Sequence, residues 1–352
     1  MQPYNTVNLT EKLFSLTASI IFRMAFGTSF QKSAFHDNDR LEEMLREAMV
    51  VLGSFFASEY FPYVGWIVDR LIGLHGRLER VFHKLDGLFE QVIDAHLNPG
   101  RPRHDEFEDI VGVLLRIQVH KIEFGEGPLT KDGIKAVIMD LFLAGADTSA
   151  ATVNWAMAEL ARNPRVVKKA QDEVRTFAGK NGIVTEDEIV RLQYLKMVVK
   201  ETLRLHPPAA LLLPRETMSH FRINGYDILP KTLIQINVWA ISRDPRYWKN
   251  AEEFFPERFS DSSIDFKGQH CEFLPFGGGR RSCPGMYLAT RTVELALGNL
   301  LHCFDWKLPF GMKGKDIDME EAAGPSLTIS KKTALHLVPV DRVPRSLEDH
   351  MK

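Results

Sequence analysis

Cysteine is scarce in this sequence, because its 352 residues include only Cys271, Cys283 and Cys303. Three thiols at such spacings are too few for a disulfide framework, and they indicate a reducing compartment. A structural zinc site needs four ligands at short spacings, and His270-Cys271 is not followed by a second such pair. The sequence therefore excludes a disulfide-rich fold and a zinc-ribbon type of domain.

The sequence also lacks an excess of one charge and a long hydrophobic run. The formal net charge is −2, from 44 Lys and Arg against 46 Asp and Glu, so we expect no nucleic-acid partner. The most apolar early stretch, residues 13–26, contains Arg23 and is too short to cross a bilayer. It predicts a core helix, and we expect neither a signal peptide nor a membrane-spanning segment in the sequence.

Helical patterns fill most of the first two thirds of the sequence. Start and stop residues predict helices at 11–26, 38–58, 66–97, 105–119, 131–163, 164–178, 185–205 and 286–302, the first with Thr10 as N-cap and Gly27 as its end. Strand patterns predict a hairpin around Asn224-Gly225, a strand at 232–238, and a second hairpin that pairs 326–330 with 334–338. The predicted fold class is mainly α with a small β region, in a single domain of residues 1–352.

One cysteine lies in an unusual segment, Phe276-Gly277-Gly278-Gly279-Arg280-Arg281-Ser282-Cys283-Pro284-Gly285. Three glycines let a backbone bend tightly and approach a flat partner closely. Pro284 suits the first turn of a helix, which would place Cys283 at a helix N-terminus, where the dipole favours a thiolate. An isolated cysteine is more often a small buried hydrophobic residue, but this segment favours a thiolate metal ligand.

A second unusual segment, Ala144-Gly145-Ala146-Asp147-Thr148-Ser149, lies inside the longest predicted helix. Glycine in a helix costs about 1 kcal/mol relative to alanine, and threonine and serine can bond to the preceding turn instead of supporting the helix. Such a local conflict marks either a functional site or a close helix crossing. The residues alone leave both interpretations open.

The cysteine segment resembles the haem-binding signature of the cytochrome P450 family, Phe-x-x-Gly-x-Arg-x-Cys-x-Gly. Every fixed position is matched, by Phe276, Gly279, Arg281, Cys283 and Gly285. The resemblance implies that Cys283 is the axial thiolate ligand of the iron of haem b, and that Arg281 pairs with a haem propionate.

The small-residue segment resembles the oxygen-activation motif of the same family, Ala/Gly-Gly-x-Asp/Glu-Thr-Thr/Ser. The resemblance implies that Gly145 leaves space for dioxygen, and that Asp147 and Thr148 are catalytic residues that deliver protons. Cleavage of the O–O bond needs protons at one end and electron density, supplied through Cys283, at the other.

Three further matches complete the resemblance. Glu201 and Arg204 match the Glu-x-x-Arg pair, which would join Arg258 of a Pro-Glu-Arg-Phe segment in a buried structural network. Arg215 matches a position that would bind a haem propionate. The mostly apolar residues at 209–213, 140–141 and 326–328 match the family's substrate pocket, which implies a lipophilic substrate.

The residues of these motifs, and their order along the chain, resemble those of the plant microsomal A-type P450s. The implied function is that of a haem-thiolate monooxygenase, which inserts one oxygen atom of O2 into a small lipophilic plant metabolite. Its electrons would come from NADPH through NADPH-cytochrome P450 reductase, docking near Arg280. The family resemblance also implies residence at the endoplasmic reticulum membrane, on the cytosolic face.

The resemblance begins late, because the family's N-terminal anchor, hinge, early helices and strands find no match. No Trp-Arg dipeptide of the family's Trp-Arg-x-x-x-Arg segment occurs in the sequence. We therefore expect an N-terminally truncated P450 fold. Two alternatives stay open at this point: an inactive fragment that acts, if at all, as an interaction surface, and a P450-type isomerase that rearranges hydroperoxides.

Overall fold

The computed structural model describes residues 6–27, 38–61, 63–98, 108–120, 123–124, 127–178, 182–324 and 326–342. The helices in these ranges are α1 (Leu9–Phe26), α2 (Asn38–Leu52), α3 (Ala57–Tyr60), α4 (Gly65–Leu71), α5 (Leu74–Leu97), α6 (Ile110–Val119), α7 (Lys131–Arg162), α8 (Pro164–Phe177), α9 (Glu186–Ile189), α10 (Gln193–Leu205), α11 (Val238–Ile241) and α12 (Met286–Cys303). The strands are β1 (Val7–Asn8), β2 (Glu123–Phe124), β3 (Gly127–Pro128), β4 (Arg215–Glu216), β5 (Phe221–Ile223), β6 (Tyr226–Ile228), β7 (Leu233–Ile234), β8 (Phe304–Lys307) and β9 (His336–Asp341). The predicted class, mainly α with a small β region, is confirmed.

Chain contacts divide the protein into two compact units. The larger unit comprises Met1–Leu13, Ser149–Ala322 and Thr328–Lys352, and the smaller unit comprises Phe14–Thr148 and Ala323–Leu327. Helices α1 and α7 contribute residues to both units. The assignment of the whole chain to a single domain stays a prediction.

The smaller unit is built around an aromatic cluster from α1, α5 and α7. Phe142 lies 5.9 Å from Phe22, 5.3 Å from Phe26 and 6.2 Å from Phe89, measured between ring centroids. Ion pairs join α5 to α7 outside this cluster: the Lys135 ammonium lies 2.8 Å from Asp86 and 2.6 Å from Glu90. The apolar rings supply most of the stabilisation, because partly exposed ion pairs contribute little.

The larger unit contains helices α8 to α12 and three small antiparallel sheets. One sheet has the order β1-β9-β8, and the other two are the pairs β4-β7 and β5-β6. The β5-β6 hairpin turns at Asn224 and Gly225, whose φ angles of +50° and +86° fit the left-handed residues of a type I′ turn. The hairpin predicted at this dipeptide is therefore confirmed.

Several predicted boundaries are wrong. The helix predicted at 66–97 is two helices, because Gly73 adopts a φ of +77°, and the one predicted at 185–205 is divided into α9 and α10. The prediction of Thr10 as N-cap is wrong because α1 begins at Leu9, and the Thr10 hydroxyl instead accepts from the Leu335 amide at 2.9 Å. Gly27 ends α1 as predicted, with a φ of +67°.

The predicted hairpin of 326–330 with 334–338 is also wrong. Strand β9 pairs with β8 and β1 instead, and the Ile329 amide donates to the Pro208 carbonyl at 2.8 Å. In addition, only Leu233–Ile234 of the strand predicted at 232–238 is a strand, because Asn237 caps α11.

Helix α7 bears on the expectation that no segment of the sequence spans a membrane. At 32 residues it is, among the described helices, the one that is long and apolar enough to cross a membrane. Length and composition alone support this statement, and buried core helices of soluble proteins meet the same two criteria.

The short helices α3 and α4 of the smaller unit approach each other closely. The Asp69 carboxylate accepts from the Ala57 amide at 2.8 Å and from the Ser58 amide at 3.0 Å. At Gly65, a Cβ would lie only 2.2 Å from the Ala57 carbonyl oxygen, so the two helices need glycine at this crossing.

We therefore expect Gly65→Ala to reduce the free energy of unfolding by about 1–3 kcal/mol, because the added methyl group must displace backbone atoms. Gly87→Ala in α5 is the matched control, since a Cβ there meets nothing within 4 Å. The control is expected to be neutral or stabilising, because alanine favours a helix over glycine. Urea unfolding curves of both variants test this, and equal stabilities would contradict it.

Candidate functional site

The segment that contains Cys283 folds into a closed loop in the larger unit. The Cys283 amide donates to the Phe276 carbonyl at 2.9 Å and closes it, and Gly279–Arg281 forms a 3-10 turn inside. Gly277 and Gly279 adopt φ angles of +69° and +73°, which residues with a Cβ rarely adopt. The glycine run is thus required by the backbone conformation of the loop.

Cys283 lies just ahead of α12. Its side chain is half-buried, and its thiol makes no hydrogen bond to any residue in the described ranges. Gly285 is the N-cap of α12, which begins at Met286. The prediction of Pro284 in the first helical turn is therefore wrong, because the helix starts two residues later. Cys283 precedes the helix and is not part of it.

Two arginines lie at this loop. The Arg215 guanidinium, on β4, donates from Nη2 to the Arg281 carbonyl at 3.0 Å, which brings Arg215 to the Cys283 loop. The Arg281 side chain is exposed, and its guanidinium makes no hydrogen bond or ion pair within the described part of the chain. Both guanidinium groups therefore retain donors for an anionic group.

The same unit contains a network centred on the Glu201 carboxylate. Arg204 donates to it from Nε at 2.8 Å and Nη2 at 2.9 Å, and Arg258 donates from Nε at 2.9 Å. The Phe255 amide adds a fourth bond at 2.9 Å. Glu201 and Arg204 are fully buried, and this network confirms the contacts predicted for the three residues.

The remaining guanidinium donors bind backbone carbonyls. Arg204 Nη1 donates to Ser242 at 2.7 Å and Ala251 at 2.8 Å, and Arg258 Nη1 donates to Lys249 at 2.8 Å. Each buried cation is thus paired and hydrogen-bonded, as burial of a charge requires.

An aromatic cluster connects this network to the Cys283 loop. The Arg204 guanidinium lies 5.3 Å from the Trp248 ring, and Trp248 packs against Phe259 and Phe273 at centroid distances of 5.8 and 6.1 Å. Phe273 is fully buried and precedes Phe276, where the loop closes, by three residues. Displacement of the network would therefore reach the loop.

The Pro-Glu-Arg-Phe segment is anchored a second time through Glu257. Burial tends to raise the pKa of Glu257, but hydrogen bonds from Arg165 and Tyr194 outweigh burial and lower the pKa to about 2. The Tyr194 hydroxyl donates to Glu257 at 3.0 Å. Glu257 is therefore ionised at neutral pH and holds the segment against α8 and α10.

Gly145, Asp147 and Thr148 lie in the smaller unit, on α7. A Cβ at Gly145 would lie 2.7 Å from Cδ1 of Ile21, and the Thr17 hydroxyl donates to the Ala146 carbonyl at 2.8 Å. The small residues thus permit a close crossing of α1 over α7. The Thr148 hydroxyl donates to the Ala144 carbonyl at 2.7 Å. Their predicted roles towards dioxygen stay predictions.

Sequence reasoning missed the backbone conformation of Leu212 and the contacts of His206, two residues of the larger unit. Leu212 adopts a φ of +51°, unusual for a bulky residue, and its Cδ1 would lie 3.7 Å from a Cβ at Gly277. His206 is buried against Glu159, with Nε2 2.8 Å from the carboxylate. The Pro207-Pro208 pair after α10 was the available signal, since it fixes the path of the chain from His206 towards the loop.

We expect Glu201→Gln to lower the free energy of unfolding by about 3–5 kcal/mol, because it leaves two buried guanidinium groups without a counter-charge. The matched control is Glu320→Gln, since Glu320 pairs with Lys332 on the surface and its side chain is 69% exposed. Glu320→Gln should lower the free energy of unfolding by only about 0–1 kcal/mol. Calorimetric unfolding distinguishes the two variants, and a small loss in both would rule out the network as a stabilising centre.

Comparison with known proteins gives the same family. The family model described as Cytochrome P450 matches residues 2–337. Cytochrome P450 71B35 of Arabidopsis thaliana is 52% identical over 335 residues, which cover 95% of this chain and 66% of that protein. Cytochrome P450 71B20 of the same plant is 54% identical over 342 residues, with the same two coverages.

The chain thus spans 66% of the length of these relatives. The match nevertheless includes the Cys283 loop, the Glu201 network and the small-residue segment of α7. Family members use a haem-thiolate cofactor, which is the group that a loop of this kind binds. The chain belongs to the cytochrome P450 family.

Proposed function

We propose that this chain binds haem b through Cys283 and belongs to a monooxygenase of plant metabolism. The observation that carries the proposal is the Cys283 thiol, which is half-buried and has no hydrogen-bond partner in the described ranges. A buried cysteine of structural type would be packed away from any ligand, whereas this one lies in a loop with two left-handed glycines.

The residues around Cys283 fit a haem group. A Cβ at Gly279 would meet nothing within 4 Å, so the loop has open space beside the thiol segment. Arg281 has a guanidinium without a partner in the described part of the chain, and Arg215 is bonded to the same loop. Both would pair with the propionates, while Phe276, Gly279 and Gly285 shape the loop around Cys283.

When bound, haem ligated by a thiolate supplies the activation of dioxygen for insertion of one oxygen atom into a C–H bond. Cys283 would contribute an electron-rich sulfur ligand. Arg281 and Arg215 would compensate the propionate charges, and Phe276 packs edge-to-face against Phe266 at 5.5 Å. The chain's contribution is thus orientation and charge compensation.

We assign proton delivery to Thr148 and Asp147 of α7. In this structure the Thr148 hydroxyl donates its hydrogen to the Ala144 carbonyl. To deliver a proton towards O2, the hydroxyl would turn away from this carbonyl, donate its own hydrogen and take a replacement proton from water, which the adjacent Asp147 would help to supply. The proposed space for O2 beside Gly145 would require the Ile21 side chain of α1 to move, because a Cβ at Gly145 would lie 2.7 Å from its Cδ1.

The proposed electron source is NADPH, through NADPH-cytochrome P450 reductase. The reductase would dock near Arg280, which is exposed on the Cys283 loop and is not needed for the propionates. An exposed positive charge favours an acidic partner surface and speeds its association.

We further propose contact with the endoplasmic reticulum membrane on its cytosolic face, through the α3–α4 region. Exposed apolar side chains concentrate there: Phe55, Tyr60, Phe61, Tyr63, Val64, Trp66, Ile67, Val68, Leu71 and Ile72. A surface rich in exposed Trp, Tyr and Phe is suited to the interface between lipid headgroups and acyl chains.

The proposed substrate is a small lipophilic plant metabolite, because the residues that match the family's pocket, 209–213, 140–141 and 326–328, are mostly apolar. The Asp147-Thr148 pair favours a monooxygenase over a hydroperoxide isomerase, since rearrangement of a peroxide needs no proton delivery to dioxygen. The second alternative, an inactive fragment, predicts that the chain shows no carbon monoxide band of a thiolate-ligated haem.

The chain of 352 residues, expressed with haem supplied, should bind haem in about equimolar amount and show the red-shifted carbon monoxide band of a thiolate-ligated ferrous haem. Cys283→Ser should lose this band, because serine lacks the soft sulfur ligand. Cys271→Ser is the matched control, since Cys271 is exposed and should leave the band unchanged. Absence of the band in the unmodified chain would support the inactive fragment.

Thr148→Ala should raise the hydrogen peroxide released per NADPH consumed by about tenfold, because the hydroxyl that passes the proton is removed. The measurement uses the haem-loaded chain with the reductase and ethoxycoumarin as the probe substrate. Thr148→Ser keeps the hydroxyl and should stay close to the unmodified chain. Equal coupling in the alanine and serine variants would refute the proton role.

A further inference from the structure

A stacked group of buried side chains lies where α10 ends, in the larger unit. The His206 ring is parallel to the Trp155 indole, with 4.1 Å between centroids and 2° between planes. Nε2 of His206 lies 2.8 Å from Oε1 of Glu159, and the second Glu159 oxygen accepts from Asn163 at 3.2 Å. Relative exposure is 7% for His206 and 3% for Glu159, so water screens the contact little.

The charges that face His206 come from several segments. Glu159 is on α7, Arg243 follows α11, and Glu321 lies in the segment before β9. The Lys331 ammonium lies 5.0 Å from the Trp155 ring. Burial lowers the pKa of His206 more than Glu159 raises it, so the ring is neutral at neutral pH, with its hydrogen on the nitrogen that faces the carboxylate.

The other ring nitrogen, Nδ1, is buried and has no hydrogen-bond partner among the described residues. A buried polar atom without a partner costs free energy, which an apolar side chain such as phenylalanine would avoid. The choice of histidine therefore calls for a specific reason. A neutral imidazole combines a flat ring for stacking on indole with a donor directed at the carboxylate.

The chain beyond His206 is tied down at both ends. Pro207 and Pro208 fix its direction, and the Pro208 carbonyl accepts from the Ile329 amide at 2.8 Å. At the far end, Arg215 donates to the Arg281 carbonyl at 3.0 Å. Between them, Leu212 keeps its unfavourable φ of +51°, which persists only where the surroundings enforce it.

We propose that His206 is a positioning residue: its contacts with Trp155 and Glu159 fix residues 207–215 and, through Arg215, the Cys283 loop. His206 itself touches none of the residues of that loop named above. Its effect is carried by the backbone from Pro207 to Arg215, so the consequence of its loss should appear in the loop as well as beside the ring.

Hydrogen exchange measured by mass spectrometry tests this on the full chain. In His206→Phe, peptides from 209–216 and 277–283 should exchange about tenfold faster, because stacking is kept but the bond to Glu159 is lost. His206→Gln restores the donor and should return both peptides to within about twofold of the unmodified chain. Peptides from α8 serve as the internal reference.

His302→Phe is the matched control, since His302 is also buried with Nδ1 unpartnered in the described ranges, and it should leave both peptides unchanged. If His206→Phe fails to fold, Glu159→Gln can be used instead, because it weakens the same hydrogen bond. The same two peptides should then exchange about threefold faster. The proposal would be overturned if His206→Phe speeds exchange only in α10 or equally in all peptides. It would also be overturned if His206→Gln does not restore slow exchange in the two peptides. The measurement needs neither haem nor turnover, so it can fail while the proposed function stands.

Discussion

The carboxylate of Glu201 is the contact on which much of the larger unit depends. Apart from short 3-10 turns, no helix or strand covers residues 242–285 in the described structure, so their carbonyl groups lack the partners that regular secondary structure provides. The guanidinium groups of Arg204 and Arg258 donate hydrogen bonds to carbonyl groups of this segment, in place of the backbone amides of a helix or sheet. Since both cations are oriented by one carboxylate, the path of an irregular segment is fixed by a single acidic residue.

The Cys283 loop inherits its position from this arrangement. The rings of Trp248, Phe259 and Phe273 connect the guanidinium groups to the start of the loop, and the glycines then set its shape. A thiolate ligand must be held within a fraction of an ångström, which a mobile loop cannot do. Rigidity here comes from a buried ion network and aromatic packing, with α12 beginning only after the cysteine.

Local sequence signals predicted the features whose causes are local. The Asn224-Gly225 hairpin and the long helix α7 depend on residues within a few positions of one another. The motif around Cys283 was equally local, and its closed loop follows from glycines visible in the sequence.

Features set by distant partners were missed. The alternation at 326–338 suggested a hairpin, yet β9 finds its partners in β8 and β1, and the Trp155 indole binds the Ile329 carbonyl at 3.1 Å. The role of His206 was invisible for the same reason, because Glu159 precedes it by 47 positions. Alternation of apolar and polar residues shows which side chains of a strand share one face, but it does not show which distant strand pairs with it.

The pairing of β1 with β9 has a consequence for the order of biosynthesis. The Thr10 hydroxyl and the Leu335 amide that it binds are 325 positions apart in the chain. At roughly 5–20 residues per second on the ribosome, the first residues of the larger unit wait for tens of seconds before their partner strand exists. The smaller unit, nearly continuous from Phe14 to Thr148, can become compact meanwhile. Chaperones would therefore meet a half-folded chain in which Thr10 is among the last residues to find its partners.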